Sequence, residues 1–401
     1  MNISHAFAAI TMALLSTWST ICAAQPGFKM NAAAQALVDE GNVLGAQGNL
    51  QQALNKFSQA NKADPSSSVP LSNIAEVLRQ AAEQAEGEQQ LKLREQSEAL
   101  VRQILQKYPD EPLAHEVLRQ LGDKLPPPLH AANAAALAEM NLGEVAFAKQ
   151  KFDDALLHYE RAAGLDPQLS MAWIYAGDCF YAQKKYAEAE TRYRKGVEIE
   201  PLNGQGWRYL SDALAYQDKR SAAEDALISG IGAQPSQIPS WIKLAQLREA
   251  AGYPLTPLKL VPKSSASLDA EGKPKVALDS AFSGPEGTKS ADGALWLLLG
   301  IKQANDLAAQ KDGKQDATTL AAEVARWRLG FKVVEEVTAK GEAGLQDPAL
   351  KTLQMLEQDG ALETALLLLQ YRESWRPELE AWKRDNPQGI RKFVDKYALR
   401  P

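Results

Sequence analysis

Trp173, Trp207 and Trp241 recur at a fixed interval of 34 residues, and Pro167, Pro201 and Pro235 recur at the same interval. A strict period of this length is not the mark of one globular core. It describes stacked pairs of helices in which each unit touches only its neighbours. Reading the slots in step gives units at 136–169, 170–203 and 204–237. In the first of these Glu139 stands where tryptophan is expected, while Gly143, Ala155, Tyr159, Ala162 and Pro167 keep the register. Residues 238–256 supply Trp241 and Leu244 of a first helix only, and Gly252-Tyr253-Pro254 then breaks the pattern, which makes this half unit a cap.

An earlier stretch, residues 34–67, repeats the slots with Leu37, Gly41, Leu44, Ala53, Phe57, Ala60 and Pro65. From Pro65 to Pro109 is 44 residues, ten more than the period, so one extended helical hairpin is expected there. A partial unit at 110–124 and the stiff run Pro126-Pro127-Pro128 follow. The chain thus reads as an N-terminal array over 25–124 and a main array over 129–256, adjacent or continuous.

The slots Trp173-x-x-Ala176-Gly177-x-x-Phe180, with Ala189, Tyr193 and Pro201 behind them, resemble the tetratricopeptide repeat family. The resemblance implies an all-α fold, an α-solenoid of helical hairpins, here followed by a helical C-terminal domain. It also implies a protein- or peptide-binding function. Each slot has a packing reason. Gly143, Gly177 and Ser211 are small where paired helices approach, Ala155, Ala189 and Ala223 are their counterparts on the second helix, and the prolines stop that helix because proline excludes the helical conformation from the residue before it. Cys179 is equivalent to Val145 and Ala213 and reads as an inert thiol between helices.

Composition bears on the address. Residues 1–24 contain no Asp, Glu, Lys or Arg, run apolar from Ala6 to Trp18 and end in Cys22-Ala23-Ala24, which reads as a secretory signal peptide cleaved near Ala24. A lipid anchor at Cys22 is disfavoured by the bulky Ile21 before it. The chain from Gln25 keeps one cysteine, so no internal disulfide is expected, and no Asn-x-Ser/Thr acceptor occurs in it. A bacterial periplasm suits both features. The net charge is −6 and falls as −3 over 25–130, −3 over 131–256 and zero over 257–401. No basic face for nucleic acid emerges, and no second apolar run reaches membrane length, so stable insertion is not expected.

Residues 257–292 are rich in Pro, Ser, Gly and Lys, without helical periodicity over most of their length, and read as a linker or extended crossing. Beyond them, residues 293–401 form a helical C-terminal domain, with apolar spacing over 294–309, 318–341, 348–358 and 361–375. Motifs that suggest chemistry are incomplete. His115-Glu116 opens like a zinc-protease helix but carries Arg119 where the second histidine is required, and only His130 and His158 remain in the chain from Gln25. Asp153-Asp154 and Glu224-Asp225 open second helices, where acidic residues offset the positive end of the helix dipole. No metal, cofactor or catalytic residue is assigned.

First helices of such repeats line the concave side. Glu144, Asp178 and Asp212 recur every 34 residues and are expected as an exposed acidic ladder along the groove. Asn141, Tyr175 and Tyr209 flank it on one side and Phe147, Tyr181 and Tyr216 on the other, with Arg208 tempering the charge. The groove so read suits an extended or helical peptide carrying basic and apolar side chains. The reading is a periplasmic scaffold or adaptor for a protein partner, in cell-envelope assembly and with no catalysis of its own. An enzyme sited in 293–401 and a glycan-binding module are the competing classes. The partner, the envelope process and the oligomeric state are not encoded in these features.

Overall fold

The computed structural model describes residues 30–85, 87–108, 111–122, 130–268, 272–282, 284–311, 319–339, 341 and 343–401. The signal-peptide reading of residues 1–24 and the triple proline at 126–128 lie outside them. The chain divides into two compact bodies, one ending at Gly252 and one starting at Tyr253.

The first body is built from antiparallel helical hairpins. Two belong to the N-terminal array: α1 (Ala32–Ala46) with α2 (Leu50–Ala63), and the extended pair α3 (Val69–Gln84) with α4 (Gly87–Lys107), followed by the single helix α5 (Pro112–Gly122). The main array holds α6 (Ala134–Ala148) with α7 (Phe152–Leu165), α8 (Ser170–Ala182) with α9 (Tyr186–Ile199), α10 (Gly204–Ala215) with α11 (Arg220–Ala233), and the capping helix α12 (Ile238–Glu249). The ten extra residues between Pro65 and Pro109 lengthen α3 and α4 to 16 and 21 residues.

Three local devices repeat with the sequence. The first is the small-on-aromatic contact within three of the hairpins. A Cβ added at Gly177 would lie 2.6 Å from the Tyr193 ring, and one at Gly41 would lie 2.5 Å from Phe57, so only glycine admits the ring at this separation. Gly143 meets Tyr159 in the same way. Ala53, Ala155, Ala189 and Ala223 on the second helices are fully buried.

The second device links tryptophan to proline. The indole Nε1 of Trp207 donates to the Pro201 carbonyl at 2.9 Å, Trp241 donates to Pro235 at 2.9 Å and Trp173 to Pro167 at 3.4 Å. Each turn between units is thereby pinned to the helix that follows it. Where Glu139 replaces the tryptophan, its carboxylate takes His158 Nδ1 at 2.7 Å instead.

The third is the turn inside each hairpin. Gln150, Lys184 and Asp218 hold φ near +60° (59, 61 and 57°), and Gly48 holds 78° in the corresponding turn of α1–α2. The next residue in each case donates back five positions, as in Lys151 to Ala146 and Lys185 to Phe180, which satisfies carbonyls that the helix leaves unpaired. Helix starts are capped too. Asn31, Asn133 and Asn203 accept from the backbone three residues on, a contact worth about 1 kcal/mol.

The two arrays touch at both ends, α1 against α6 and α5 against α12.

In the second body the expectation for 257–292 is corrected. This stretch carries an antiparallel hairpin, β2 (Ser264–Leu268) with β3 (Pro274–Leu278), preceded by the short strand β1 (Thr256–Pro257). The hairpin packs on α14 (Ala291–Lys311), beyond the short α13 (Pro285–Lys289), with Val276 and Ser264 against Gly300. β1 pairs in parallel with β4 (Leu399–Arg400), so the segment is part of the folded body and not a tether. The rest is helical: α15 (Leu320–Ala339), α16 (Pro348–Gln358), α17 (Leu362–Leu369), α18 (Arg376–Asp385) and α19 (Gly389–Tyr397). Trp296 and Trp327 join α14 to α15 edge to face, and the Asp292 carboxylate accepts from the backbone of Gln346 and Asp347 at 3.0 and 3.1 Å. Among the described residues no helix is long and apolar enough to cross a membrane.

The register makes a direct stability prediction. Ala189→Leu and Gly177→Ala each force the α8–α9 pair apart and should lower stability by about 1–3 kcal/mol. Thermal denaturation of the two variants checks this, and an unchanged midpoint in both would contradict the packing described.

Candidate partner-binding groove

The inward face of the main array comes from α6, α8 and α10, with one acidic residue per helix at the same height. The structure places these residues where the period puts them but corrects their exposure. Glu144, Phe147, Tyr175, Asp178, Tyr181, Arg208 and Tyr209 are buried, Asp178 and Tyr175 to 1% exposure. Asn141 is exposed, Asp212 is half-buried and Tyr216 is 45% exposed.

One cause of the burial is the ring in the aromatic slot of the second helix. The Tyr193 hydroxyl reaches across the hairpin and donates to Asp178 Oδ1 at 2.6 Å. On α1 and α3 of the N-terminal array, Asn42, Asn73, Glu76, Arg79 and Gln80 are buried as well. Arg79 is held on its own helix by Glu76 at 2.8 Å and by Glu83 at 2.5 Å.

Burial sets the charge state. Desolvation pushes the Asp178 carboxyl up to about 8, against the opposing pull of the Tyr193 hydrogen bond and the positive charge of Arg208. Glu144 is raised by desolvation as well. The ladder is therefore not a row of solvated anions. At Cys179, burial together with nearby Asp178 raises the thiol, consistent with an unreactive packing residue.

Between α10, α11 and α12 lies a cleft of about 290 Å³, lined by Asp212, Ala215, Tyr216, Lys243, Gln246 and Leu247 among others, with more apolar than polar wall. Asp212 is paired with the Lys243 ammonium inside it. Tyr216 stacks on Tyr186 at 4.6 Å and meets Tyr181 edge to face at 5.7 Å, which fixes its ring at the rim. Of the ten residues expected from the sequence, Asp212 and Tyr216 line this cleft. Lys243 and Gln246 were missed because they belong to the capping half unit, whose inward positions carry no repeating partner.

The raised carboxyl predicts a pH dependence with a definite sign. An ordinary aspartate near 3.8 loses its proton in the unfolded chain, while Asp178 keeps it in the folded chain up to about 8. Stability from this group therefore falls as pH rises through that window, by at most about 1.4 kcal/mol per pH unit. Asp178→Asn keeps an acceptor for Tyr193 and removes the titration, so its melting temperature relative to the parent should climb between pH 5 and pH 8. A difference that stays flat with pH would refute the assignment.

The family model described as Tetratricopeptide repeat matches residues 130–170 and 140–203. No curated protein matches the chain. Among solved structures, the first TPR of Spaghetti bound to the HSP90 peptide SRMEEVD is similar at 18% identity over 31% of this chain and 98% of that one, with a TM-score of 0.29. YrrB, described as a TPR protein with an unusual peptide-binding site, is similar at 18% identity, covering 52% of this chain and 91% of its own, with a TM-score of 0.26. A thermophilic TPR protein of Thermus thermophilus is similar at 16% identity over 54% of this chain and 98% of that one, with a TM-score of 0.25. With the family match lying on the hairpins whose slots repeat every 34 residues, the chain contains tetratricopeptide repeats over residues 130–203.

Proposed function

We propose that the protein is an exported scaffold that holds a polypeptide partner in the cell envelope and has no catalysis of its own. The observation that carries this is the cleft between α10, α11 and α12. It is an accessible cleft among the described residues, apolar for most of its wall, with one ion pair and one aromatic ring at its rim. A surface of this kind takes an apolar side chain of an extended segment and hydrogen-bonds the backbone on either side of it. The paired Asp212 and Lys243 present both signs of charge, so the site does not select strongly for an acidic or a basic segment. Support for export is the uncharged apolar leader ending in Cys22-Ala23-Ala24.

Ala215 and Ala250 are small exposed residues at the cleft. Replacing both with arginine fills it without entering the core, and should reduce partner capture about tenfold or more while far-UV helicity stays unchanged. Photoreactive benzoylphenylalanine at Tyr216 should crosslink polypeptide in the periplasm, whereas the same group at Leu157, an exposed apolar position on α7, should not. Equal crosslinking from both positions would sink the cleft as the binding surface. For export, N-terminal sequencing of the periplasmic form should read from Gln25; a chain that retains residues 1–24 or starts at a lipidated Cys22 would contradict it.

A further inference from the structure

We infer that the first hairpin of the main array docks a second copy of this chain, through the open stacking face of α6 that carries Ala135, Ala138, Leu142 and Val145, with the two α6 helices antiparallel. The inference goes beyond the cleft proposed above and does not rest on it.

The repeat itself shows what this face is built for. Ala138, Ala172 and Gly206 are equivalent, as are Leu142, Ala176 and Leu210. A Cβ added at Gly206 on α10 would lie 2.8 Å from Ile174 on α8 and 2.9 Å from Val197 on α9, so this slot receives the hairpin before it. On α8 and α10 the slots are closed, with Ala172, Ala176, Gly206 and Leu210 all buried. On α6 they are open. Ala135 and Ala138 are exposed there, Leu142 is 52% exposed and Val145 is half-buried. Leu165 on α7 extends the same face, since its carbonyl takes Asn133 Nδ2 at 3.0 Å beside the start of α6. It is 51% exposed, whereas its equivalents Ile199 and Ala233 are half-buried and buried. A terminal repeat ordinarily turns a polar face outward, and an apolar one marks a contact surface.

Continuity with the buried contacts of α8 and α10 makes the occupant a helix, and self-complementarity makes it α6 of another copy. Residues 135, 138, 142 and 145 are spaced 3, 4 and 3 apart, the interval of a two-helix seam. With a two-fold axis beside residue 140, Leu142 lies opposite Ala138 of the second copy and Val145 opposite Ala135, so each large side chain meets a small one. Charge does not oppose the pairing, although each copy carries −6 overall. From Asn133 to Gly143 the sole charged residue is Glu139, and His158 Nδ1 holds its carboxylate at 2.7 Å.

Analytical ultracentrifugation of the full mature chain tests this. The parent should pass from one copy to two across the micromolar range, as suits a small helix-on-helix contact. Leu142→Lys and Ala138→Glu should each raise the dissociation constant about tenfold or more, with helicity and melting temperature unchanged because both positions are exposed. An equimolar mixture of the two variants sets the introduced lysine opposite the introduced glutamate and should restore pairing. Ala138→Cys with Leu142→Cys, in a Cys179→Ala background, should oxidise to a disulfide-linked pair. A chain that stays monomeric throughout, or a dimer indifferent to both charged substitutions, overturns the inference. Loss of pairing without rescue in the mixture overturns the antiparallel register. If the chain is monomeric while benzoylphenylalanine at Leu142 crosslinks a different periplasmic protein, the face takes a foreign helix and the second copy is excluded. The Tyr216 crosslink reads the cleft alone, so either reading can fail while the other stands.

Discussion

The contact of glycine on an aromatic ring inside three of the hairpins, Gly41 on Phe57, Gly143 on Tyr159 and Gly177 on Tyr193, sets the distance between their paired helices. The rest of the first body follows from that distance. Helices held this close bring the alanines of the second helix into full burial and leave the tyrosine hydroxyl of one helix within reach of a carboxylate on the other, as in Tyr193 and Asp178. The indole-to-proline hydrogen bonds then fix how one hairpin follows the next. Spacing within a hairpin and angle between hairpins together define the geometry of each array.

Burial changes the chemistry of the inward face. A carboxylate ladder on an open superhelix would be solvated, charged and screened by salt. Here Glu144 and Asp178 are desolvated, and burial pushes the Asp178 carboxyl up to about 8. The aromatic rings that would offer contact area to a ligand serve instead as packing. Among the described residues, a cleft opens at the end of the array, between Tyr216 at the C-terminal end of α10 and Lys243 on the capping helix α12.

Much of the helical architecture was legible in the sequence because tryptophan, glycine, alanine and proline each occupy one slot for one steric reason. The extended hairpin could be read from the ten extra residues between Pro65 and Pro109, and helices over most of 293–401 from apolar spacing. Other features left no such trace. The hairpin over 264–278 is built from serine, alanine, lysine and a few apolar residues, an alternation too weak to separate from a linker. The turns at Gln150, Lys184 and Asp218 use left-handed backbone without glycine, so residue type did not reveal them. Exposure of the ladder could not be read at all. Periodicity identifies which helix face a residue shares with its equivalents, while what covers that face is set by packing that a 34-residue period does not encode.

Hydroxyl-radical footprinting of the intact mature chain tests that coverage most directly, because tyrosines lie on both sides of the boundary. Tyr175 and Tyr209, 1% and 4% exposed, should be protected, while Tyr216 and Tyr253, 45% and 72% exposed, should oxidise readily. Oxidation of Tyr175 and Tyr209 at the rate of Tyr216, in protein of full helicity, would show an open groove and contradict the enclosed inward face.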